Sequence, residues 1–149
     1  MQIRKAVITD AEKIAKNNVL LAKESENINL SFETVFLAVK SIISDEIKGF
    51  YIVAEENNKI IGQTMITFEW SDWRNTTIWW IQSVYVQKQM RNKKFFSKIF
   101  ECIKKQAKKE NIQLLRLYVH KENNQAKKIY KKIGLKKQPY EIFQYKNLI

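Results

Sequence analysis

The sequence predicts a single α/β domain on a mixed (α+β) sheet, with elements in the order β-α-α-β-β-β-α-β-α-β. Three observations predict it. Between residues 50 and 86, three segments rich in apolar, β-branched and aromatic residues follow one another across short polar turns, as an antiparallel meander requires. Elsewhere, four segments repeat apolar residues every three to four positions, the period of a helix with one buried face. Finally, the strand-like segments 76–86 and 114–119 are separated by a helical one, so a right-handed crossover should leave them parallel. With 149 residues, 45% hydrophobic and 12% aromatic, the chain can bury one core. No repeat or linker divides it, so residues 1–149 are expected to form one domain.

The elements follow in order. Ile3 to Val7 reads as a first strand. Thr9-Asp10 offers a helix cap, and Ala11, Ile14, Ala15, Val19 and Ala22 fall at helical spacing over residues 10–23. The stretch from Glu24 to Leu30 is polar and reads as a loop. Ser31 caps a second helix, whose face carries Phe32, Val35, Phe36, Val39, Ile42 and Ile43 and which should stop near Lys48-Gly49. Residues 50–54 and 60–69 form a hairpin across the turn 56–59, and residues 76–86 add a third strand after the turn 71–75. Phe95, Phe96, Ile99, Phe100, Ile103 and Ala107 then line one face of a helix reaching about Asn111. Residues 114–119 make a strand, 123–132 a helix closed by Gly134, and 140–148 a last strand.

Composition excludes several classes. Gly numbers 3 and Pro 1, which removes collagen-like and low-complexity chains. No apolar run is long enough to span a membrane, and the start Met1-Gln2-Ile3-Arg4-Lys5 lacks a signal peptide's apolar core. One cysteine, Cys102, forbids an internal disulfide and a Cys-based zinc cluster. A cytoplasmic domain without a metal is the expectation. The net charge of +12 is unevenly spread: residues 1–75 hold 9 basic and 11 acidic side chains, residues 76–149 hold 18 and 4. A polyanion would be drawn to the second half. A nucleic acid is one such partner, but no recognised nucleic-acid motif accompanies the charge.

The segment 84–100 offers a more specific anion site. A strand feeds the loop 87–94, which feeds a helix whose first N–H groups lack intrahelical acceptors. Arg91, Lys93, Lys94 and Lys98 add cations there. Val84-Tyr85-Val86 followed by Gln89-Met90-Arg91-Asn92-Lys93-Lys94-Phe95-Phe96 resembles the acetyl-CoA loop of the GCN5-related N-acetyltransferases (GNAT), whose pattern is Gln/Arg-x-x-Gly-x-Gly/Ala. Arg91 meets the first position, while Lys94 and Phe96 replace the two small residues. The run Asn123 to Leu135 is similar to the family's later motif, Asn-x-x-Ala-x-x-x-Tyr-x-x-x-Gly-Phe/Leu, and Asn123, Ala126, Tyr130, Gly134 and Leu135 all match. The opening, Ile3 to Ile14, and the element order resemble the family over nearly the whole chain.

The resemblance implies a splayed parallel pair, strands 76–86 and 114–119, with acetyl-CoA in the gap. Backbone of Val84 and Val86 would hold the pantetheine, and Arg91, Asn92, Lys93, Lys94, Phe95 and Phe96 the pyrophosphate. Asn123, Lys127 and Tyr130 would complete the cofactor site. Tyr130 would protonate the departing CoA thiolate, as a phenol of ordinary pKa near 10 is able to. Glu69, near the turn into strand 76–86, is the candidate general base; Asp72, Glu24, Glu26 and Glu33 are other carboxylates near the acceptor side. The partners implied are acetyl-CoA and an amine of a small molecule or protein, and a homodimer is allowed for, since many relatives pair through edge strands. Lys94 costs about 1 kcal/mol if its backbone is left-handed and nothing if it is helical; Phe96 would turn into the core. A CoA-binding protein without catalysis is the alternative these two departures suggest. Trp70, Trp73, Trp79 and Trp80 crowd one hairpin, where aromatic faces suit a cationic amine or simple cross-strand packing. His120 reads as surface and Cys102 as core.

Overall fold

The computed structural model describes residues 1–91 and 94–146. Its elements are β1 (Gln2–Lys5), α1 (Ala11–Glu26), α2 (Phe32–Ser44), β2 (Phe50–Glu56), β3 (Lys59–Ser71), β4 (Thr76–Val86), α3 (Phe95–Lys109), β5 (Leu115–Arg116) and α4 (Asn124–Lys132), with short 3-10 turns at Ile8–Asp10 and Lys88–Met90. The sheet runs β1-β2-β3-β4-β5. Neighbours are antiparallel except β4 and β5, which are parallel as the crossover argument requires. No helix among the described residues is long and apolar enough to cross a membrane.

Alternation along the strands divides the core into two layers. Phe50, Ile52, Ile66, Trp79 and Ile81 point to one face, where Phe95, Phe96, Ile99, Phe100 and Ile103 of α3 cover them. Tyr51, Val53 and Ile60 point to the other, under Ala11, Ile14 and Ala15 of α1 and Val39 and Ile42 of α2. The predicted helical faces are therefore the buried ones. Trp79 and Trp80 point to opposite faces as the strand period demands: Trp79 is buried in the α3 layer, and Trp80 sits half-buried on the other.

Four boundaries differ from the sequence expectation. Helix α1 runs past residue 23 to Glu26, so Glu24 and Ser25, expected in a loop, lie on it. Helix α2 stops at Ser44, short of Gly49. Gly49 serves instead a close approach, since a Cβ there would lie 2.0 Å from the Ile66 carbonyl oxygen. Strand β5 is only Leu115–Arg116, because it parts from β4 immediately afterwards. The last strand, expected over 140–148, is not formed by residues 140–146, and residues 147–148 lie outside the described residues. Tyr140 and Ile142 on one alternate set and Phe143 and Tyr145 on the other are all exposed. With apolar groups on both sides, no single face anchors a register.

Gly62 of β3 sets how closely α3 approaches the sheet. A Cβ there would lie 2.2 Å from Cε1 of the buried Phe95 ring, at the first residue of α3. Gly62→Ala must push Phe95 and the start of α3 outward, an overpacking cost of about 1–3 kcal/mol. Thermal unfolding should show Tm lowered by about 2–4 °C for each kcal/mol; an unchanged Tm would mean that α3 is not seated on Gly62.

Candidate functional site

The site begins with a defect in the β3–β4 ladder. Gly62 pairs with Val86, Gln63 with Tyr85 and Met65 with Gln82, so Ser83 and Val84 together oppose Thr64 alone. This is a β-bulge, and Ser83 adopts φ +49° to make it. A left-handed serine costs about 1 kcal/mol. The Thr64 hydroxyl donates to the Gln82 carbonyl at 2.9 Å, satisfying one acceptor that the bulge displaces. On its other side β4 pairs with β5 only at Trp79 and Trp80. Val84 consequently has a register partner on neither neighbouring strand. An unpaired backbone segment at a cavity wall is a hydrogen-bonding surface awaiting a partner.

The cavity beside it measures about 810 Å³. Leu21, Glu24 and Ser25 of α1 line one side, and Val84, Tyr85 and Val86 of β4 form the floor. Arg91, Lys94 and the first residues of α3 close one end, and Ala126, Ile129 and Tyr130 of α4 face them. His120, Glu122 and Asn123 complete the rim from the β5–α4 connection.

Lys94 takes the left-handed conformation, φ +54° and ψ +26°, at the cap position of α3. It thus occupies the backbone state that the small residue of the resembling motif would take, and carries the conformational cost. The first helical bond runs from the Lys98 N–H to the Lys94 carbonyl at 3.3 Å, so the N–H groups of Phe95, Phe96 and Ser97 have no intrahelical acceptor. All three residues line the cavity, and the positive end of a 15-residue helix adds to them. The Phe95 and Phe96 side chains do not obstruct this. Both are buried, and Phe96 lies 6.1 Å from the Phe100 ring and 5.4 Å, edge-on, from Tyr130. Asn92 and Lys93 lie outside the described residues.

Arg91 is placed differently from a phosphate ligand. Its Nε donates to the Val86 carbonyl at 2.9 Å and its Nη2 to Glu24 at 2.6 Å, with the guanidinium 5.6 Å from the Tyr85 ring centre. It straps the end of β4 to α1. Burial alone would raise the Glu24 carboxyl, but Arg91 and Lys88 outweigh it and hold Glu24 below the usual carboxylate range. Glu24 is therefore a charged group on the cavity wall.

Tyr130 is pushed up to about 12 by burial, and no described residue hydrogen-bonds its hydroxyl. It is a neutral proton donor at any ordinary pH. Asn123 accepts the Ala126 N–H at 3.0 Å and so caps α4, which aims Tyr130 at the cavity. Two expected residues are not brought in. Lys127 does not line the cavity; its ammonium donates to the Lys121 carbonyl. Glu69 lies outside too, accepting from Arg116 at 3.0 Å and from the Trp80 indole. Trp70 and Trp73 are exposed and take no part in the cavity. Conversely, His120 lines the rim, and Ser83 builds the bulge with no Gly, Asn or Asp to signal a left-handed turn.

The pattern of the acetyltransferase (GNAT) family matches residues 6–135. No curated protein matches the chain. Among solved structures, a possible acetyltransferase from Clostridium difficile 630 is 42% identical, with a TM-score of 0.91 over 99% of this chain and 98% of that one. A predicted acetyltransferase with acetyl-CoA from Clostridium acetobutylicum shares the fold at 19% identity, with a TM-score of 0.81 over 97% and 95% of the two chains. A ribosomal-protein-alanine N-acetyltransferase from Brucella melitensis biovar Abortus 2308 does so at 12% identity, with a TM-score of 0.79 and 98% of both chains covered.

The left-handed cap sets the tolerance of position 94. Lys94→Gly removes about 1 kcal/mol of strain while returning a similar entropy to the unfolded chain, so Tm should stay within about 3 °C. Lys94→Val puts a β-branched residue where it is a genuine outlier and should lower Tm clearly. Equal Tm values for the two variants would show that position 94 is not held left-handed.

Proposed function

The chain belongs to the GNAT acetyltransferase family, and from that premise we propose that it transfers an acetyl group from acetyl-CoA to a primary amine by direct attack in a ternary complex. The observation that carries the reading is the unpaired backbone at Val84, set on one cavity with the free N–H groups of α3 and the hydroxyl of Tyr130. Backbone of Val84 and Val86 holds the pantetheine arm in place of a sheet neighbour. The N–H groups of Phe95, Phe96 and Ser97 receive the pyrophosphate, with Lys94 beside them. When bound, the cofactor supplies an activated thioester carbonyl.

The residues of the chain do the rest. Glu24 spends its charge on Arg91 and Lys88, and so ties α1 to the end of β4 beside the cavity. The amine attacks as its neutral form, the C–N bond forms and the C–S bond breaks. Tyr130 gives its proton to the leaving sulfur and regains one from the nitrogen through solvent. Glu69 is not given the base role, because Arg116 and Trp80 engage it outside the cavity. The binding-only alternative rested on Lys94 and Phe96. The left-handed backbone of the first and the core position of the second both favour a working loop.

Three measurements test this reading. Acetyl-CoA and CoA should each raise Tm, by about 2.7 kcal/mol of stabilisation at 100 times Kd, while ATP should raise it little; no shift at millimolar acetyl-CoA would sink the reading. Tyr130→Phe should lower kcat at least 10-fold with the Kd for CoA unchanged, as loss of general acid help costs about 100-fold or more in favourable cases. Since the Tyr130 phenol lies near 12, no loss of activity from its ionisation is expected between about pH 7 and pH 10. Full activity in Tyr130→Phe would remove the acid role.

A further inference from the structure

The bulge that exposes Val84 lies beside polar groups outside the cavity. Between α1 and the sheet lies a chain of polar side chains in an otherwise apolar layer. Asn17 and Gln63 are fully buried. Asn17 Nδ2 donates to Gln63 Oε1 at 2.8 Å, and Gln63 Nε2 donates to the Ile14 carbonyl at 3.2 Å and to Asn18 Oδ1 at 2.9 Å. Asn18 Nδ2 in turn donates to the Tyr51 hydroxyl at 2.8 Å. Burial raises the Tyr51 phenol, and hydrogen bonding by Asn18 and Ser83 opposes that rise. The chain therefore starts in α1, reaches β3 at Gln63 and ends on β2 at Tyr51.

Burying amides in this layer is costly unless each is paired, and the simpler solution for a core is apolar. One atom, Asn17 Oδ1, has no partner among the described residues. A paired amide chain of this kind fixes the orientation of the groups it joins. Its two residues on the sheet make that specific. Gln63 sits on β3 in register with Tyr85, directly beside the bulge, and Tyr51 sits in register with Met65, which pairs with Gln82 on the bulge's other side. The chain thus holds side chains in register with both flanks of the segment 82–85, with the strained Ser83 between them.

We propose that Tyr51, held by the Asn17–Gln63–Asn18 amide chain, is a positioning residue that fixes Ser83 in its left-handed state and so fixes the angle at which the Val84 backbone meets the thioester arm. Its catalytic consequence rests on the acetyltransferase reading, whereas its effect on the bulge does not. The pyrophosphate is held elsewhere, by α3, so loss of the chain should misalign the acyl group without releasing CoA.

Tyr51→Phe removes one hydroxyl and keeps the ring. Hydrogen exchange of the backbone amides of residues 81–86 is expected to quicken about 10-fold or more, and kcat to fall about 10-fold, with the Kd for CoA within about 2-fold of the unaltered protein. Val39→Ala, a cavity in the same α1/α2 layer with no polar group, serves as the control for general destabilisation. It should lower Tm while leaving both exchange at 81–86 and kcat close to the unaltered values. The proposal is overturned if Tyr51→Phe leaves exchange at 81–86 unchanged, or if Val39→Ala reproduces the exchange and kcat changes. If the unaltered chain transfers no acetyl group, the acetyltransferase reading fails, and the exchange comparison alone decides whether Tyr51 positions the bulge.

Discussion

The rest of the structure depends on one unmet requirement in β4. A backbone segment inside a protein needs partners for its N–H and C=O groups, and the middle of a sheet normally supplies them from both sides. Here the β3 side is interrupted by the bulge at Ser83 and Val84, and the β5 side ends after Trp80. Neither interruption would open a cleft alone. A bulge next to a full-length β5 would leave a kinked but closed sheet. A short β5 beside a regular β4 would leave an ordinary edge. Together they leave Val84 with no strand partner and with room for an extended ligand to take the neighbour's place.

The departures from the family's loop pattern become intelligible once the approach of α3 is fixed. The buried ring of Phe95 lies against Gly62, so the smallness absent from the loop is found on the facing strand. Phe96 turns into the core and becomes the wall against which Tyr130 packs. A small residue there would leave Tyr130 unsupported and more solvated, and burial is what raises its phenol above the ordinary value. Lys94 accepts the left-handed strain directly. The motif is thus redistributed among the loop, β3 and α4.

Much of this was legible in the sequence, and what was not has physical reasons. The helical faces, the meander, the parallel pair and the Asn123–Leu135 motif rest on local periodicity and spacing, which a sequence displays directly. The bulge rests on register, which is a property of two strands, and Ser83 is not a residue type that advertises positive φ. Glu69 looked suitable as a base because it precedes the cleft strand. Its pairing with Arg116, 47 residues later, could not be read from either position. Arg91 carried the right motif identity, but its strap to Glu24 and Val86 depends on where α1 ends. The last strand failed for the opposite reason, because loose alternation over 140–148 carried apolar groups on both faces and no burial to choose between them.

The charge asymmetry also takes a different meaning. The second half of the chain carries 18 basic and 4 acidic residues, which suggested a site crowded with cations. Among the described residues the cavity wall is nearly balanced, with Arg91, Lys94 and Lys132 against Glu24 and Glu122. Arg91 is itself paired with Glu24. The excess charge therefore lies mostly outside the cavity, on the exposed faces of α3 and α4. Charges so placed are screened beyond about 10 Å at 0.1 M salt, and they contribute to capture more than to holding. Binding at the wall would rest instead on oriented N–H groups and unpaired backbone, whose directions are set by the fold and which salt screens far less. A polyanion would thus be drawn in by the lysines and held by the backbone.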